Sequence, residues 1–336
     1  MVASEKTLIK QIRRLAGRVK NPAISTGIGD DCAVLRLLPG RGKGGNKNGD
    51  KNNNKEVLVT TDFSLEGIHF RRDWHSPESV GHRCLARGLS DIAAMGGEPV
   101  AAFLSLALPR DLPKNWVDRF ARGLISLAEK YGVTLAGGDT AESPNGILAD
   151  IMVVGTAPSG KAALRSGARA GNLIYVSGDL GGSAAAVMEM RRRPKTKLNP
   201  RTYPRHFFPE PRIELGSVLR EKGLATAMID TSDGLSTDLA HICEESGVGA
   251  EVSADAIPRA TVGRPPREVD LELALHGGED YELLFTAPKD KRIPPRVAGI
   301  PITHIGHITR RREIFLMNPN GVGSELQPQG WEHFRK

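Results

Sequence analysis

Residues 172–190, NLIYVSGDLGGSAAAVMEM, read as a strand, a glycine turn and a helix. The same grammar continues downstream. PEPRIELGSVLREKG (209–223) is helical in spacing, ATAMID (225–230) strand-like, GLSTDLAHICEESG (234–247) helical and GAEVSA (249–254) strand-like. REVDLELALHGG (267–278) predicts a further helix and YELLFTAP (281–288) a further strand. Upstream the alternation recurs. EVLVTTDF (56–63), PVAAFLSLALP (99–109), VTLAGGD (133–139) and ILADIMVVGTA (147–157) have strand character. Between them, SVGHRCLARGLSDIAAM (79–95) and PKNWVDRFARGLISLAEKYG (113–132) keep helical spacing, the second ending in glycine. Alternation in both halves predicts an α/β chain with mixed sheets and two domains, 1–158 and 159–336, meeting near residues 158–170.

The bulk numbers agree with this size. The chain has 336 residues, 39% hydrophobic and 25% charged, as in ordinary globular proteins. No apolar run approaches the ~20 residues of a membrane helix. The first 17 residues, MVASEKTLIKQIRRLAG, read as an amphipathic helix without a signal-peptide core, so a cytoplasmic location is expected. Cys32, Cys84 and Cys243 are too scattered for a zinc knuckle and read as reduced, buried thiols. Residues 37–55, rich in Gly, Asn and Lys, read as a loop joining two strands. The net charge of +7 is matched by seven cations between Arg191 and Arg205, a stretch without an acid. One basic loop is a solvated surface or a trap for a phosphorylated ligand. With 5% aromatics and no nucleic-acid motif, neither a nucleic-acid nor a membrane partner is expected.

The acids are distributed unusually. Asp30 and Asp31 lie in GIGDD, Asp62 ends LVTTD, Asp91 is in LSDIAAMGG and Asp139 in AGGDT. Asp230 and Asp233 are in IDTSDG, Glu279 and Asp280 in HGGEDYE. All sit at strand ends or beside glycines, where a ligand can approach the backbone. If they converge, their mutual repulsion requires cations. Oxygen-only ligand sets suit Mg²⁺ rather than Zn²⁺, and Mg²⁺ commonly bridges carboxylates to phosphates. The physical reading is a site for several Mg²⁺ ions and a polyphosphate such as ATP. GTAPSGKA (155–162) imitates a phosphate-binding loop, but Ala162 stands where the metal-binding hydroxyl is needed, so it is read as a chance likeness. The protein-kinase motifs are absent as well.

Seven collinear segments then carry a resemblance: GIGDDCAVL, TTDFSLEGIHF, LSDIAAMGGEPV, GGDT, RSGARAGNLIYVSG, IDTSDGLSTDL and HGGEDYELLFT. From about residue 5 to residue 334 the chain resembles the thiamine-monophosphate kinases, within the aminoimidazole-ribonucleotide synthetase-like ATP enzymes. The resemblance implies a two-domain architecture whose N-terminal domain pairs with its twin in a homodimer. It implies Mg²⁺-dependent transfer of the ATP γ-phosphate to thiamine monophosphate, giving thiamine diphosphate and ADP by in-line attack. It implies metal ligation by Asp31, Thr60, Thr61, Asp62, Asp91, Asp139, Asp230 and Asp233. ATP contacts fall to Gly138, Asp139, Arg165 and Ser232, and thiamine contacts to His69, Glu279 and Trp331. Asp62, Asp139, Arg165 and Asp233 are the catalytic candidates. By residue type alone, Trp331 reads first as a C-terminal hydrophobic anchor and His69 as a structural histidine, and Glu279 could simply cap a turn.

The chain departs from the family pattern at Arg83 and Gly88, where Lys and Asn are common, and at Ala141, where a basic residue follows GGDT nearby. Two rival readings stand beside the kinase. One is another ATP enzyme of the same scaffold; the reactive terminal cysteines such enzymes use are missing here. The other is a non-catalytic nucleotide or thiamine sensor, which would have no need of so many mutually repelling carboxylates.

Overall fold

The computed structural model describes residues 4–16, 21–36 and 55–334. Most of the loop expected at 37–55 lies outside the described residues. The strands flanking it, β2 (Ala33–Arg36) and β3 (Lys55–Leu65), pair antiparallel, as two strands joined by one connection do. With β1 (Ile24–Thr26), β4 (Glu98–Leu108), β5 (Thr134–Glu142) and β6 (Leu148–Pro158) they form a six-stranded sheet, order β1-β2-β3-β6-β4-β5. Only β4 and β5 run parallel. Their crossover is α3 (Trp116–Tyr131), which follows α2 (Pro77–Ala94) and ends on left-handed Gly132. Ser76 caps α2, its Oγ accepting from the Ser79 N–H at 3.2 Å, with Pro77 in the first turn.

Helices α2 and α3 cover one face of this sheet. Leu85, Leu89, Ile92, Phe120, Leu124, Ile151 and Val153 make its core. The other face carries Phe63, Val100, Phe103, Leu135 and Met152, all exposed, Phe63 at 55%. That is a run of large apolar side chains in water, which a folded surface rarely shows without a partner.

Apart from the short pair β10 (Thr261–Val262) and β11 (Arg267–Glu268), the strands of the second half form an eight-stranded sheet. It uses β7 (Leu173–Ser177), β8 (Ala227–Asp230), β9 (Gly249–Ser253), β12 (Leu283–Ala287), β13 (Arg296–Val297) paired only to β14 (Ile300–Thr309), β15 (Ile314–Met317) and β16 (Gly323–Glu325). Their order is β16-β15-β9-β14-β7-β12-β8, mixed because β15 runs parallel to β9. Helices at 182–192, 213–221 and 235–246 appear where the alternation placed them. The helix read over 267–278 is shorter, Leu271–His276. Arg267–Glu268 instead pairs with Thr261–Val262, and the Val269 N–H bonds Ala260 O at 2.9 Å, so the chain is extended until Asp270. Beyond Leu283–Ala287 the described residues form only strands, so the alternation of strand and helix ends there.

The two halves share a core. Ala93 and Ala94 of α2 pack among Leu215, Leu219, Met228, Leu283 and Phe285 of the second half. Burial of this cluster fixes α2 against β8, and both carry acids of the site. The N-terminal helix Glu5–Ala16 has no buried residue; Lys6 and Lys10 pair with Glu244, and Arg13 with Glu245. No helix among the described residues is long and apolar enough to cross a membrane.

Candidate active site

Most of the acids singled out in the sequence line one cleft of about 1160 Å³ between the two sheets, whereas Asp280 is buried on the Gly181 and Ser183 N–H groups. The turn 27–32 supplies Asp30 and Asp31, β3 supplies Thr60, Thr61 and Asp62, and α2 supplies Asp91. The turn leaving β8 supplies Asp230, Ser232 and Asp233. His69, Arg165, Glu279 and Trp331 complete the group of expected residues that line it.

At one end, Asp31, Asp91 and Asp230 each offer a carboxylate oxygen, all within 4.8 Å of one another. Two supporting hydroxyls hold them: Thr60 Oγ1 donates to Asp91, and Ser90 Oγ donates to Asp230 Oδ2 at 2.5 Å. Arg165 Nη2 donates to Asp31 Oδ1 at 2.7 Å, and the Arg165 backbone N–H to Asp30 Oδ1 at 3.0 Å. Burial drives the acids toward the neutral form. Asp230 is pushed up to about 8 by burial and then by the Asp31 charge. Asp91 is raised far above its ordinary value by burial, then by Asp62, Asp230 and Asp31. Asp62 is raised by burial, and Asp30 and Asp233 each reach about 7 for the same leading reason.

Asp31 Oδ2, Asp62 Oδ2 and Arg165 Nε are buried without a hydrogen-bond partner. A buried carboxylate oxygen left unpaired costs roughly 1–3 kcal/mol. Converging hard oxygen donors, two of them orphaned, fit divalent cations of the Mg²⁺ type.

The other end is built differently. Glu279 Oε1 accepts from Arg83 Nη2 at 2.6 Å and Arg87 Nη2 at 2.7 Å. Burial alone would raise its pKa, but the two guanidinium groups hold it well below the carboxylate range. Glu279 and Tyr281 both adopt positive φ, a strained state that persists where surroundings dictate it. The His69 Nδ1 accepts the Leu65 N–H at 2.9 Å, which puts its proton on Nε2. Burial, then the Arg87 charge, lowers its pKa to about 3, so it is neutral. His69, His333 and Trp331 form an edge-to-face series, with centroids 5.4 and 5.6 Å apart. The Trp331 N–H bonds Asp233 O at 2.9 Å, tying the C-terminal segment to the metal-side turn.

Two expected residues are not brought there. Gly138 and Asp139 lie on the edge strand β5, exposed along its whole length and outside the cleft lining. Gly138 has a backbone reason of its own. Its φ is +149°, and a Cβ there would fall 1.8 Å from Leu104 O. Ala141 lies on the same exposed strand. Gly88 packs closely: a Cβ there would meet Val153 Cγ2 at 2.5 Å, so a larger residue requires Val153 to shift.

Arg87, Tyr281 and His333 line the cleft without having been singled out in the sequence, and Asp30, noted there only among the turn acids, lines it too. Arg87 had a signal, since it precedes Asp91 by four residues on one helix and so shares its face. The phosphate-loop imitation is a turn whose Gly160 N–H is taken by Glu56 Oε2 at 2.9 Å. All three cysteines are buried and free. Of the basic stretch, Arg191 reaches the cleft, Arg192 and Arg193 pair with Glu189, and Arg205 pairs with buried Glu282.

Comparison with known proteins agrees with this geometry. The family described as AIR synthase related protein, N-terminal domain, matches residues 29–157, and its C-terminal domain matches 169–317. Thiamine-monophosphate kinase of Salmonella typhimurium is 36% identical over 336 residues, covering 96% of this chain and 97% of the relative. The Aquifex aeolicus enzyme is 34% identical over 327 residues, covering 94% and 95%. Among solved structures, AaThiL complexed with AMPPCP and TMP superposes with TM-score 0.81 at 31% identity, covering 99% of each chain. Escherichia coli HypE, a hydrogenase maturation protein, shares the fold at TM-score 0.66 and 17% identity. The chain therefore belongs to the AIR synthase related family and, within it, to the thiamine-monophosphate kinases.

Proposed function

We infer that this protein transfers the γ-phosphate of ATP to thiamine monophosphate, giving thiamine diphosphate and ADP. The carrying observation is the cleft with opposite ends, a carboxylate cluster with orphaned oxygens facing an arginine-held glutamate among aromatic rings. Relatives at 36% identity bear this activity in their names, and a solved relative holds AMPPCP and TMP together.

The chemistry asks little proton work of the protein. The accepting atom is a phosphate oxygen, already anionic near neutral pH, so no general base is required. The difficulty is bringing two anions into line. Asp31, Asp62, Asp91, Asp230 and Asp233, with the hydroxyls of Thr60 and Thr61, would hold Mg²⁺. The metal, when bound, neutralises phosphate charge and stabilises the transferring group. Arg165 supplies a partly exposed guanidinium suited to phosphate oxygens. Ser232 borders the same end. His69, Glu279 and Trp331 receive the thiamine: neutral His69 and ionised Glu279 set polar contacts, and Trp331 offers a ring face to a cationic heterocycle.

Gly138 and Asp139 enter this reading from a second copy. The exposed apolar face of the first sheet suits a homodimer interface, and β5 borders it. This reading assigns Asp139 to the carboxylate cluster of the second copy.

³¹P NMR of the protein with ATP, Mg²⁺ and thiamine monophosphate tests the reaction. New diphosphate resonances from both ADP and thiamine diphosphate, absent without Mg²⁺, are expected. ATP bound but unchanged would favour the sensor; AMP formation would point to another reaction on this scaffold.

A further inference from the structure

Arg83 and Arg87 both grip Glu279, but they are not equivalent. The Arg83 side chain is 4% exposed and its other bonds go to His206 O and His69 O. It is enclosed by the fold. The Arg87 side chain is 12% exposed and lines the cleft. Among the described residues its hydrogen bonds run from Nη1 to Phe63 O at 2.9 Å and from Nη2 to Glu279 at 2.7 Å. A guanidinium has five N–H donors, so three remain.

The charge balance says what those donors face. Two guanidinium groups and one carboxylate leave this end one positive charge in excess. The metal end leans the other way, with six aspartates gathered against Arg165. Arg87 belongs to both: it lines the same cleft as Asp62 and donates to Glu279. The phosphate of a monophosphate acceptor must lie at this junction to meet the transferring group, and it brings up to two negative charges. Glu279 would repel it unless a cation intervened.

We propose that Arg87 binds the acceptor's phosphate, held in plane by Glu279 and Phe63 O, and is the residue by which the site distinguishes a phosphorylated acceptor from its free alcohol. This rests on the thiamine-phosphate reading. Arg87 touches the acceptor in this account, whereas Arg83 acts through Glu279 as a positioning residue.

The test is calorimetric titration with thiamine monophosphate and with thiamine, in Mg²⁺ without ATP, on the wild type, Arg87→Gln and Arg87→Lys. The wild type should prefer the monophosphate. Arg87→Gln should weaken monophosphate binding by about tenfold to a hundredfold, the range for a lost charge-assisted contact. Thiamine binding should change by less than about threefold, since its contacts do not include the phosphate. Arg87→Lys should retain part of the preference, keeping the charge but losing the fork. Equal weakening of both ligands would reduce Arg87 to an anchor for Glu279 and overturn the proposal, as would an unchanged monophosphate affinity. Should Arg87→Gln fail to fold, Arg87→Lys decides alone: a preference equal to the wild type's overturns the proposal. A wild type that binds neither ligand, or both equally, would overturn the acceptor reading and this proposal with it.

Discussion

The two ends of the cleft handle the same problem, buried charge, in opposite ways. Around Asp31, Asp91 and Asp230 the protein gathers anions and leaves oxygens without partners. Around Glu279 it supplies two guanidinium groups for one carboxylate. The first end is incomplete until cations arrive from solution; the second is complete in the folded chain. A site that must exchange a metal-bound nucleotide at each turnover gains from the first arrangement. A site that must recognise the same organic acceptor each time gains from the second.

Removing an acid from the incomplete end should therefore do the greatest damage. Asp91→Asn or Asp230→Asn is expected to lower turnover by roughly 10³-fold, since metal-borne charge stabilisation is worth several kcal/mol. A coupled ADP-release assay checks this, and a loss below tenfold would place the metal elsewhere. Asp139→Asn tests whether the end is completed in trans. Alone it should be inactive, yet mixing it with Asp91→Asn protomers should restore turnover that neither variant shows. No restoration would mean Asp139 acts on its own chain or not at all.

At the complete end the effects should fall on one substrate. Glu279→Gln should raise KM for thiamine monophosphate by about tenfold or more, as expected for a lost contact to a charged group. KM for ATP should stay within about twofold, the two ends being separately built. Trp331, 45% exposed, has less to lose. Trp331→Ala should raise the acceptor KM by about fivefold, the value of one partly desolvated cation–π contact. Parallel changes in both KM values would erase the distinction between the ends.

The smallest effect is on stability. Asp230 and Asp233 titrate near 8 and 7 in the metal-free fold, against an unfolded value near 3.9. Their folded pKa values are raised, so their contribution is fully present below about pH 4 and is lost as pH rises through 7 to 8. Mg²⁺ should consequently raise Tm by a few °C more at pH 8.5 than at pH 6, at about 2–4 °C per kcal/mol. Calorimetry in Mg²⁺ and in a chelator reads the difference directly.

The incomplete end was the more legible in the sequence. Asp31, Asp230 and Asp233 sit at a strand end or glycine turn, a local pattern that needs no knowledge of the fold; Asp62 and Asp91 were read the same way but lie inside β3 and α2. The complete end depends on contacts across the chain, Arg87 meeting a carboxylate 192 residues away. Nothing near Arg87 announces Glu279, although its four-residue offset from Asp91 places it on the right helix face. The fold was legible for the same local reason up to residue 288. Beyond it, Ile300–Thr309 joins β7 and β9, strands distant in sequence, and its role follows from pairing. Asp139 is the converse case. Its motif is readable, but the structure leaves it on an exposed strand, and its assignment to a second copy is part of the proposal tested above.

The difference between the ends is measured most directly by Mn²⁺ binding, followed by electron paramagnetic resonance, alongside thiamine monophosphate affinity on the same samples. Wild-type protein with a non-hydrolysable ATP analogue should bind Mn²⁺. The Asp91→Asn/Asp230→Asn double variant should lose that binding while keeping its affinity for thiamine monophosphate. Undiminished Mn²⁺ binding in the variant would contradict the assignment of the metal to this cluster, and with it the division of the cleft into two ends.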